Sequence, residues 1–428
     1  MNAPASAWIF LALAALGLLM TVTGLVRATR LGWGNMAWFL SGWLTSELAI
    51  FHLLLSATVA LVFALASDAL QAWPGRLGLL AMASSWAGLA IAQRRARSTG
   101  RVLEDALQAG LGEGYRDRIP AVRRAVLRDT VAWRELALPF AMRSAEVEWL
   151  RDLPYGDGHE RHVLDVHRPA SSCTDAPVLL QIHGGGWMVG NKHEQGLPLV
   201  YHLAARGWVV VTPNYRLSPQ ARFPDHLVDC KRALAWVRRN IAAYGGDPGF
   251  VAVTGGSAGG HLTALMALTA NDPRLQPGFE AVDTSVAAAV PFYGVYDFVD
   301  RHCLKGSGAA MVRWLEKTVM PCAPSHGPGL WDLASPIALL RREAPPFFIL
   351  HGTHDSLASV EEARLFAERL RAVSASAVVY AELHGAQHAW DIFRSVRAME
   401  SVHAVTRFLE WTRATAAGGQ RSASGSPR

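Results

Sequence analysis

From residue 144 onward the chain alternates short apolar runs with amphipathic segments, and this alternation constrains its fold more than any other feature. The runs are rich in Val, Ile, Leu and Phe, and most are continuously apolar, as expected of strands buried on both faces of a parallel sheet. They lie at residues 145–150, 163–167, 178–182, 208–213, 250–254, 286–292, 347–350 and 377–381. The pattern predicts a doubly wound, mostly parallel α/β sheet whose ligand site lies at the carboxyl ends of the strands.

Two of the intervening segments have clear helical patterns. Residues 224–243 place their apolar side chains on one stripe. Residues 360–372 follow Ser359, with Glu362 three positions later, which predicts a capping box. The connection at 297–341 is longer than a plain loop and contains several Pro and Gly residues, so we expect an insertion near the site.

The strongest chemical signal is a G-x-S-x-G sequence centred on Ser257, which a strand precedes and a helix follows. A serine at such a corner sits on a strained turn. Small neighbours let the backbone bend and the hydroxyl face the site. The helix N-terminus also favours the negative charge that develops beside the serine during nucleophilic attack. Ser257 is therefore the predicted nucleophile.

A second glycine-rich turn, HGGGW, begins at His183 and ends another strand. Backbone amides approach a substrate oxyanion closely only where side chains do not block them, so consecutive glycines suit an oxyanion hole. The expected donors are the amides of Gly184 and Gly185, with Gly186 as a further candidate, together with Ala258. His183 is expected to order this loop. A phosphate-binding loop is disfavoured because the Lys-Ser/Thr of a P-loop is missing.

The predicted orienting acid is Asp355, which comes just after a strong strand in FFILHGTHD. Asp297 and Asp391 are the rivals, but the first follows a different strand and the second follows the candidate base. The predicted base is His388, in the loop after the last strand. The order Ser, Asp, His is the one that matches an α/β-hydrolase triad.

A neutral imidazole is needed to take the serine proton, and a carboxylate fixes its tautomer and stabilises its charged form. His384 is the rival base, but it lies at the strand end and is less free to reach Ser257. His384 and His388 are four residues apart, a spacing that also occurs in metal sites, but no third ligand accompanies them. No metal and no cofactor is predicted.

Together these residues resemble the hormone-sensitive-lipase-like carboxylesterases, the family IV lipases and esterases. The matching motifs, in chain order, are HGGGW, NYRLSP, FPDHLVDCKRALAWVR, SAGG, HGTHD and GAQHAW. They span roughly residues 145–412. The resemblance implies the α/β-hydrolase fold and hydrolysis of carboxylic esters without a cofactor.

The chain departs from this family in two ways. Members usually carry Asp immediately before the nucleophile, where this chain has Gly256. Typical soluble members also lack the apolar N-terminal region. In that respect the chain resembles a membrane-anchored, actinobacterial-type subset, which favours a lipid-derived ester substrate.

Ester hydrolysis is not the only chemistry open to these residues. An amidase, a formamidase or an acyltransferase would use the same triad, because acyl-enzyme formation does not distinguish between them. A non-catalytic ligand receptor on the same fold predicts a lost base or nucleophile, whereas all three triad residues are present. The physiological substrate and the oligomeric state are not indicated by the sequence.

The first 93 residues are unusually apolar and predict a membrane anchor. Hydrophobic residues make up 51% of the 428-residue chain and charged residues only 18%. Residues 7–26 contain no charge and are long enough to cross a bilayer. A second apolar tract runs over 36–66, and a third, shorter one over 77–92. We expect three spans; the alternative is two spans with an interfacial third.

Two ionisable residues, Glu47 and His52, interrupt the second tract, whose cleanest span is 48–66. Ionisable groups at membrane depth are often functional. Here we expect Glu47 to lie at the interface and His52 to be a neutral packing residue.

Arginines indicate how the spans are oriented. Basic residues follow the first and third spans, at Arg27, Arg30, Arg94, Arg95, Arg97 and Arg101. The positive-inside rule then puts the N-terminus outside and the chain after residue 93 in the cytoplasm. If the third segment does not cross, the catalytic domain lies on the other side.

The sequence thus divides into four parts. Residues 1–93 form the multi-pass anchor, and 94–143 a charged helical connector that is also a candidate cap over the site. Residues 144–413 form the hydrolase domain, and 414–428 a low-complexity tail expected to be disordered.

The remaining composition limits the possible partners. The net charge of +6 is modest, and no nucleic-acid-binding module is recognisable, so no nucleic-acid partner is expected. The four cysteines are scattered without a C-x-x-C, which disfavours a zinc ribbon or a disulfide scaffold. Only Cys303 and Cys322 share one segment, and free thiols are favoured over a disulfide between them.

Overall fold

The computed structural model describes residues 3–27, 35–125, 127, 130–156, 158–304 and 308–424, without the side chains of residue 35 and of 418–424. The strands are β1 (Val147–Pro154), β2 (Val163–Pro169), β3 (Ala176–Ile182), β4 (Val209–Pro213), β5 (Gly246–Gly256), β6 (Ala288–Phe292), β7 (Phe347–Gly352) and β8 (Val378–Leu383). The α-helices are α1 (Ala5–Leu25), α2 (Asn35–Glu47), α3 (Ala49–Ala66), α4 (Trp73–Arg97), α5 (Thr99–Leu111), α6 (Ala121–Arg124), α7 (Trp133–Ala137), α8 (Leu197–Ala204), α9 (Asp225–Asn240), α10 (Ala258–Leu268), α11 (Gly308–Thr318), α12 (Pro328–Leu333), α13 (Val360–Val373) and α14 (Val396–Ser424).

All eight strands belong to one sheet in the order β1-β2-β4-β3-β5-β6-β7-β8. β2 pairs antiparallel with both β1 and β4, and every other pair in the sheet is parallel. Each of the eight apolar runs became one of these strands, so the predicted mostly parallel α/β sheet is confirmed. The carboxyl ends of β5, β7 and β8 therefore meet at one edge of the sheet.

Helices cover both faces of the sheet, and alternate residues along a strand pack against different layers. In β3, Val178 and Leu180 belong to the core beneath α9, α10 and α13. Leu179 between them belongs to the core beneath α5, α8 and α14. This two-sided burial explains why the central strands lack the polar alternation of a half-exposed sheet.

The connector has two parts in the structure, and its role as a cap over the site stays a prediction. Its last residues reach the loop after β8, where the Arg394 amide donates to the Pro139 carbonyl at 2.9 Å and Phe140 packs on Phe393 with ring centroids 5.3 Å apart.

The main helix of the connector, α5, packs against β8 with Leu103 and Leu107 fully buried. A side chain at Gly110 would stand 2.7 Å from Val379 Cγ2, so helix and strand are in close contact. The apolar stripe of α5 places it on a sheet face rather than at the site.

Two local predictions differ from the structure. Ser359 does precede α13, but its hydroxyl donates to Glu361 at 2.8 Å and forms no capping box. Glu362 instead accepts hydrogen bonds from the amides of Tyr296 and Asp297, because the start of α13 is packed against that loop. The expected disordered tail from residue 414 is helical as far as Ser424, since its first residues are alanine-rich and contain no proline. Residues 425–428 lie outside the described residues.

The N-terminal region forms helices that match the predicted tracts. Three helical stretches of the described chain have the length and apolar character needed to cross a bilayer: Ala5–Leu25, Ala49–Ala66 and Trp73–Leu111. The second tract is divided at Leu48, so that α2 and α3 are separate helices.

The long apolar helices run alternately up and down. Near the start of α1, Phe10 packs against Gly78 early in α4, and near its end the Thr21 hydroxyl lies 2.8 Å from that of Ser85. α1 and α4 are therefore parallel. Phe63, late in α3, packs on Phe10 with ring centroids 5.2 Å apart, so α3 runs in the opposite direction. The end of α1, the start of α3 and the end of α4 consequently share one end of the bundle.

This end of the bundle is tied to the sheet and its helices by a buried ion pair. Arg397 Nη1 at the start of α14 donates to Glu47 Oε1 at 2.7 Å, and their side chains are 0% and 1% exposed. The Ser395 hydroxyl donates to the other oxygen of Glu47 at 2.6 Å. The Glu47 carboxylate is therefore buried in protein, and its hydrogen bonds with Arg397 and Ser395 fix its position.

Replacing Glu47 by Gln leaves the Arg397 guanidinium buried without a counter-charge. We expect the free energy of unfolding to fall by about 3–5 kcal/mol, the usual cost of removing one partner of a buried pair. The measurement is denaturant unfolding of the full chain in detergent micelles. The double variant E47M/R397M, which removes both charges, should lose less than E47Q alone; equal stability of E47Q and the wild type would contradict the pairing.

Candidate active site

Ser257 lies at the corner between β5 and α10, in a strained conformation. Its φ and ψ are 59° and −120°, and its amide donates to the Phe292 carbonyl at 3.0 Å. Positive φ is unusual for a residue with a side chain and holds the hydroxyl at the carboxyl edge of the sheet. A Cβ at Gly255 would stand 2.5 Å from the Ile182 carbonyl oxygen, and one at Gly259 would clash with the same atom. The glycines of G-x-S-x-G are thus required by the close approach of β3.

Gly256 is constrained by a different neighbour. A Cβ at this position would clash with the phenol oxygen of Tyr293, the residue that follows β6. The Tyr293 hydroxyl donates to Asp391, and its ring packs against that of His388 with centroids 4.5 Å apart. The phenol of Tyr293 therefore occupies the space into which a side chain at 256 would extend.

The HGGGW turn brings backbone amides beside the serine corner. The Gly184 Cα lies close enough that a Cβ there would stand 3.1 Å from Ser257 Cβ. However, the Gly184 amide already donates to Gln195 Oε1 at 2.7 Å. Gly185 and Gly186 have φ of 107° and 59°, and within the described chain their amides donate to no acceptor. Of the three expected donors in this loop, the amides of Gly185 and Gly186 are therefore the two that can donate to a substrate oxygen.

Ala258 is the first residue of α10, so its amide is one of the groups that a helix N-terminus leaves without an intrahelical acceptor. It lies directly after Ser257, as expected for the remaining oxyanion donor.

His183 holds the glycine-rich turn in place. Its ring stacks on Tyr215 with centroids 4.3 Å apart, and its Nδ1 lies 2.8 Å from the Gly184 carbonyl oxygen. Burial lowers the pKa of His183 to about 3, so the ring is neutral at physiological pH. These contacts match the loop-ordering role expected for it.

Asp355 is buried in the loop after β7, and both of its oxygens are used. Oδ1 accepts hydrogen bonds from the amides of Leu357 and Ala358, each at 2.8 Å. Oδ2 lies 2.7 Å from His388 Nδ1 and 3.2 Å from His351 Nε2. Burial alone would raise the pKa of Asp355, but the adjacent His388 and the hydrogen bond from His351 hold it well below its ordinary value. The carboxylate is therefore ionised and aimed at His388.

His388 is held by the loop after β8 and by neighbours from other elements. The Gln387 side chain accepts hydrogen bonds from the His388 amide at 2.9 Å and from the Ser356 amide at 2.8 Å, which ties the two loops together. Phe39 of α2 packs edge-on against the imidazole, with centroids 6.0 Å apart. The rival His384 is exposed, next to the end of β8.

The rival acids have other partners. Asp297 pairs with Arg301, at 3.0 Å from its Nε. Asp391 accepts from Tyr293, and burial raises its pKa although that hydrogen bond opposes the shift. The pKa values of the two buried carboxyls near His388 are thus shifted in opposite directions. The pKa of Asp355 is lowered, so it is ionised, and the pKa of Asp391 is raised, which favours its neutral form.

The structure brings Ser257, Asp355 and His388 to the same edge of the sheet, on the loops after β5, β7 and β8. The sequence assigns no role to three further residues of the site: Gln195, Gln387 and Tyr293. Gln387 lies inside the GAQHAW motif, but its contact with the Ser356 amide joins two loops that only the fold brings together.

The described part of the chain offers neither a cluster of metal ligands nor a disulfide. Among those residues no group of three or more His, Cys, Asp or Glu side chains is arranged to hold a metal ion. All four cysteines are free thiols, including Cys303 and Cys322.

The chain is similar to esterases, in sequence and in fold. The BD-FAE family matches residues 164–370 of the chain. The probable carboxylic ester hydrolase LipM of Mycobacterium tuberculosis is 45% identical over 338 residues, which cover 78% of each chain. Esterase LipC of the same organism is 41% identical and covers 72% of this chain and 79% of its own. An inhibited esterase B from Lactobacillus rhamnosis shares the fold, with a TM-score of 0.54, 20% identity and coverage of 68% of this chain and 94% of that chain.

Gly256→Ala should reduce the free energy of unfolding by about 1–3 kcal/mol, as overpacking typically does. In a Tyr293→Leu background, which lacks the phenol oxygen and the two ring carbons that would also stand within 2.8 Å of this Cβ, the same change should cost less by about 1 kcal/mol. Denaturant unfolding of the four proteins in a double-mutant cycle measures this coupling. Gly329→Ala is the matched control, because a Cβ there meets open space; a zero coupling energy would refute the contact.

Proposed function

The chain belongs to the hormone-sensitive-lipase-like carboxylic ester hydrolases, and we propose that Ser257, His388 and Asp355 carry its reaction. It is an esterase of the α/β-hydrolase fold, as its relatives are. The observation that supports the residue roles is the 2.7 Å contact between His388 Nδ1 and Asp355 Oδ2, on loops beside the strained Ser257 turn.

The reaction runs in two acyl-transfer steps. His388 Nε2 takes the Ser257 hydroxyl proton as Oγ attacks the ester carbonyl carbon. When the tetrahedral intermediate collapses, the same nitrogen gives that proton to the leaving alcohol. Water, deprotonated by His388, then attacks the acyl-enzyme, and the carboxylic acid leaves as Ser257 regains its proton.

The negative charge on the substrate oxygen is stabilised by the amides of Gly185, Gly186 and Ala258. Gly184 has a different role, because its amide donates to Gln195 and so fixes the turn. Preorganised donors of this kind typically contribute about 10²–10³ each to turnover. Asp355 keeps the proton of neutral His388 on Nδ1 and stabilises the imidazolium that forms during each step.

Ser257→Ala should abolish covalent labelling by a fluorophosphonate and lower kcat for a short-chain ester by at least about 10³-fold. The reason is that the other hydroxyl near this corner, that of Tyr293, donates to Asp391, and burial holds its pKa well above the ordinary value, so it does not replace the serine as nucleophile. Ser172→Ala, at an exposed serine, should label and turn over like the wild type. Labelling that persists in S257A would sink the assignment.

Asp355→Asn should lower kcat about 10⁴-fold, because an amide can hold His388 in the wrong tautomer. Asp391→Asn is the matched change at the other buried carboxyl beside His388. Its cost should be about tenfold at most, since an amide oxygen still accepts from Tyr293. Steady-state kinetics on a short soluble ester measures both, and equal losses would contradict the division of roles.

For the N-terminal region we propose a membrane anchor of three spans formed by α1, α3 and α4, ahead of the hydrolase domain of residues 144–413. The up-down-up arrangement supports an odd number of crossings, because the ends of α1 and α4 share the side that carries the catalytic domain. Arg27 lies just beyond α1, and Arg94 and Arg95 lie in the last turns of α4 on that same side. By the positive-inside rule this side is the cytoplasm.

The same labelling reaction tests this orientation. A membrane-impermeant fluorophosphonate should label the protein in permeabilised cells and leave it unlabelled in intact cells. Labelling of intact cells would place the catalytic domain outside and reverse the topology.

A further inference from the structure

The loop that carries Asp355 is bound to the end of the helical bundle. Arg27, just beyond α1, donates to both oxygens of Glu361 at 2.5 and 2.7 Å. This bidentate pair lowers the pKa of Glu361 to about 2. The His354 side chain, next to Asp355, lies near the backbone of Gly24 at the end of α1. The acid of the triad is therefore one residue away from a contact with α1.

The loop that carries His388 is bound to the same end. A Cβ at Gly385 would stand 3.2 Å from Arg95 Cδ, so the end of α4 lies directly against this loop. Arg397 Nη2 donates to the His384 carbonyl at 3.1 Å, while its Nη1 binds Glu47. Two of the three triad loops thus rest on α1, α2 and α4.

Apolar side chains along α2 form a continuous stripe from His388 to the protein surface. Phe39 packs on His388 and stacks on Trp43 with ring centroids 5.7 Å apart. Met36 and Leu40 lie on the same side of the helix, by helical spacing, and remain 54% and 45% exposed. The stripe therefore runs from the imidazole to apolar surface.

Apolar surface also flanks the oxyanion turn. Val189, whose carbonyl approaches Gly185, is 64% exposed. Trp314 of α11 is 36% exposed, and a Cβ at Gly186 would stand 3.6 Å from its ring. Met36, Leu40, Val189 and Trp314 are here called the apolar rim.

The spans determine where this rim lies. If α1, α3 and α4 cross the bilayer, their 18 to 25 residues each span about 27–38 Å, so Leu25, Ala49 and the last turns of α4 lie at its surface. The Asp355 and His388 loops contact those ends directly. The site therefore stands at the bilayer surface, where an exposed apolar rim can meet lipid rather than water.

We propose that the substrate is a long-chain acyl ester resident in the bilayer, which reaches Ser257 past α2 with its acyl chain along the apolar rim. The proposal rests on the triad and the spans proposed above. A water-soluble ester gains nothing from a site held at the membrane, whereas a lipid ester there need not leave the bilayer completely. The apolar rim supplies contacts that replace those the acyl chain loses in lipid.

The test uses the full chain in vesicles of phosphatidylcholine and phosphatidylglycerol at about a 3:1 ratio, a mixed anionic surface of the kind that cytoplasmic leaflets present. Two fluorogenic probes share one leaving group: 4-methylumbelliferyl oleate within the vesicles and 4-methylumbelliferyl butyrate in solution. The variant M36S/L40S should lower the ratio of oleate to butyrate kcat/KM about tenfold, which corresponds to a loss of roughly two methylene contacts per chain. V189S/W314S, on the other side of the site, should lower it in the same way.

Val373→Ser is the matched control. Val373 is 41% exposed and ends α13, the helix that leaves the carboxyl edge after β7 and returns to the opposite edge before β8. The ratio of oleate to butyrate kcat/KM measured for V373S should equal that of the wild type. An unchanged ratio in both rim variants would overturn the proposal. Failure of the proposed function is seen separately, as hydrolysis of both probes by S257A.

Discussion

Arg397 joins three parts of the chain that are far apart in sequence. Its fully buried guanidinium binds the Glu47 carboxylate of α2 and the His384 carbonyl at the end of β8, from the first turn of α14. A buried charge is expensive unless it is paired and hydrogen-bonded, so this arrangement exists only when all three parts are in place. The loop that carries His388 thereby depends on α2, and the position of α2 depends on the hydrolase domain.

The same dependence explains why Glu47 looks out of place in the sequence. Within an apolar tract a carboxylate suggests either a functional group at membrane depth or an interfacial residue. In the structure α2 and α3 separate at Leu48, and Glu47 at the end of α2 faces protein. The apolar tract is thus partly a helix against the catalytic domain and partly a candidate span. Hydropathy cannot separate the two, because burial in protein and in lipid both select apolar side chains.

The sheet, and the placement of Ser257, Asp355 and His388 after three of its strands, could be predicted because their signals are local. Strands buried on both faces are continuous apolar runs, and a strained serine corner needs its own neighbouring glycines. The individual hydrogen bonds around the site could not be predicted from the sequence, because they join segments that are distant along the chain. Nothing near Gly184 indicates that Gln195 takes its amide, and nothing near Ser359 indicates that Glu362 turns away to the loop at Tyr296.

Gly256 shows how such a contact can also explain a departure from a family pattern. Members usually carry Asp before the nucleophile, and here Tyr293 occupies the space into which that side chain would extend. The phenol in turn binds Asp391 and packs on His388. A carboxyl group is therefore still present near His388, but it belongs to Asp391 in the loop after β8 and is linked to the site through Tyr293. The absence of a side chain at Gly256 makes room for the ring of Tyr293, so the effect of a substitution at one of these positions depends on the residue at the other.

The connection between the helical bundle and the hydrolase domain limits the orientations that the domain can adopt relative to the helix ends. α4 ends at Arg97 and α5 begins at Thr99, so a single residue separates a candidate span from a helix packed on β8. A long flexible linker would let the domain sample many orientations. Here the short connection, the Arg27–Glu361 pair and the buried Glu47–Arg397 pair act together, at three separate points of one surface. Three such points define an orientation, so the edge with Ser257 is held towards the helix ends rather than only tethered near them.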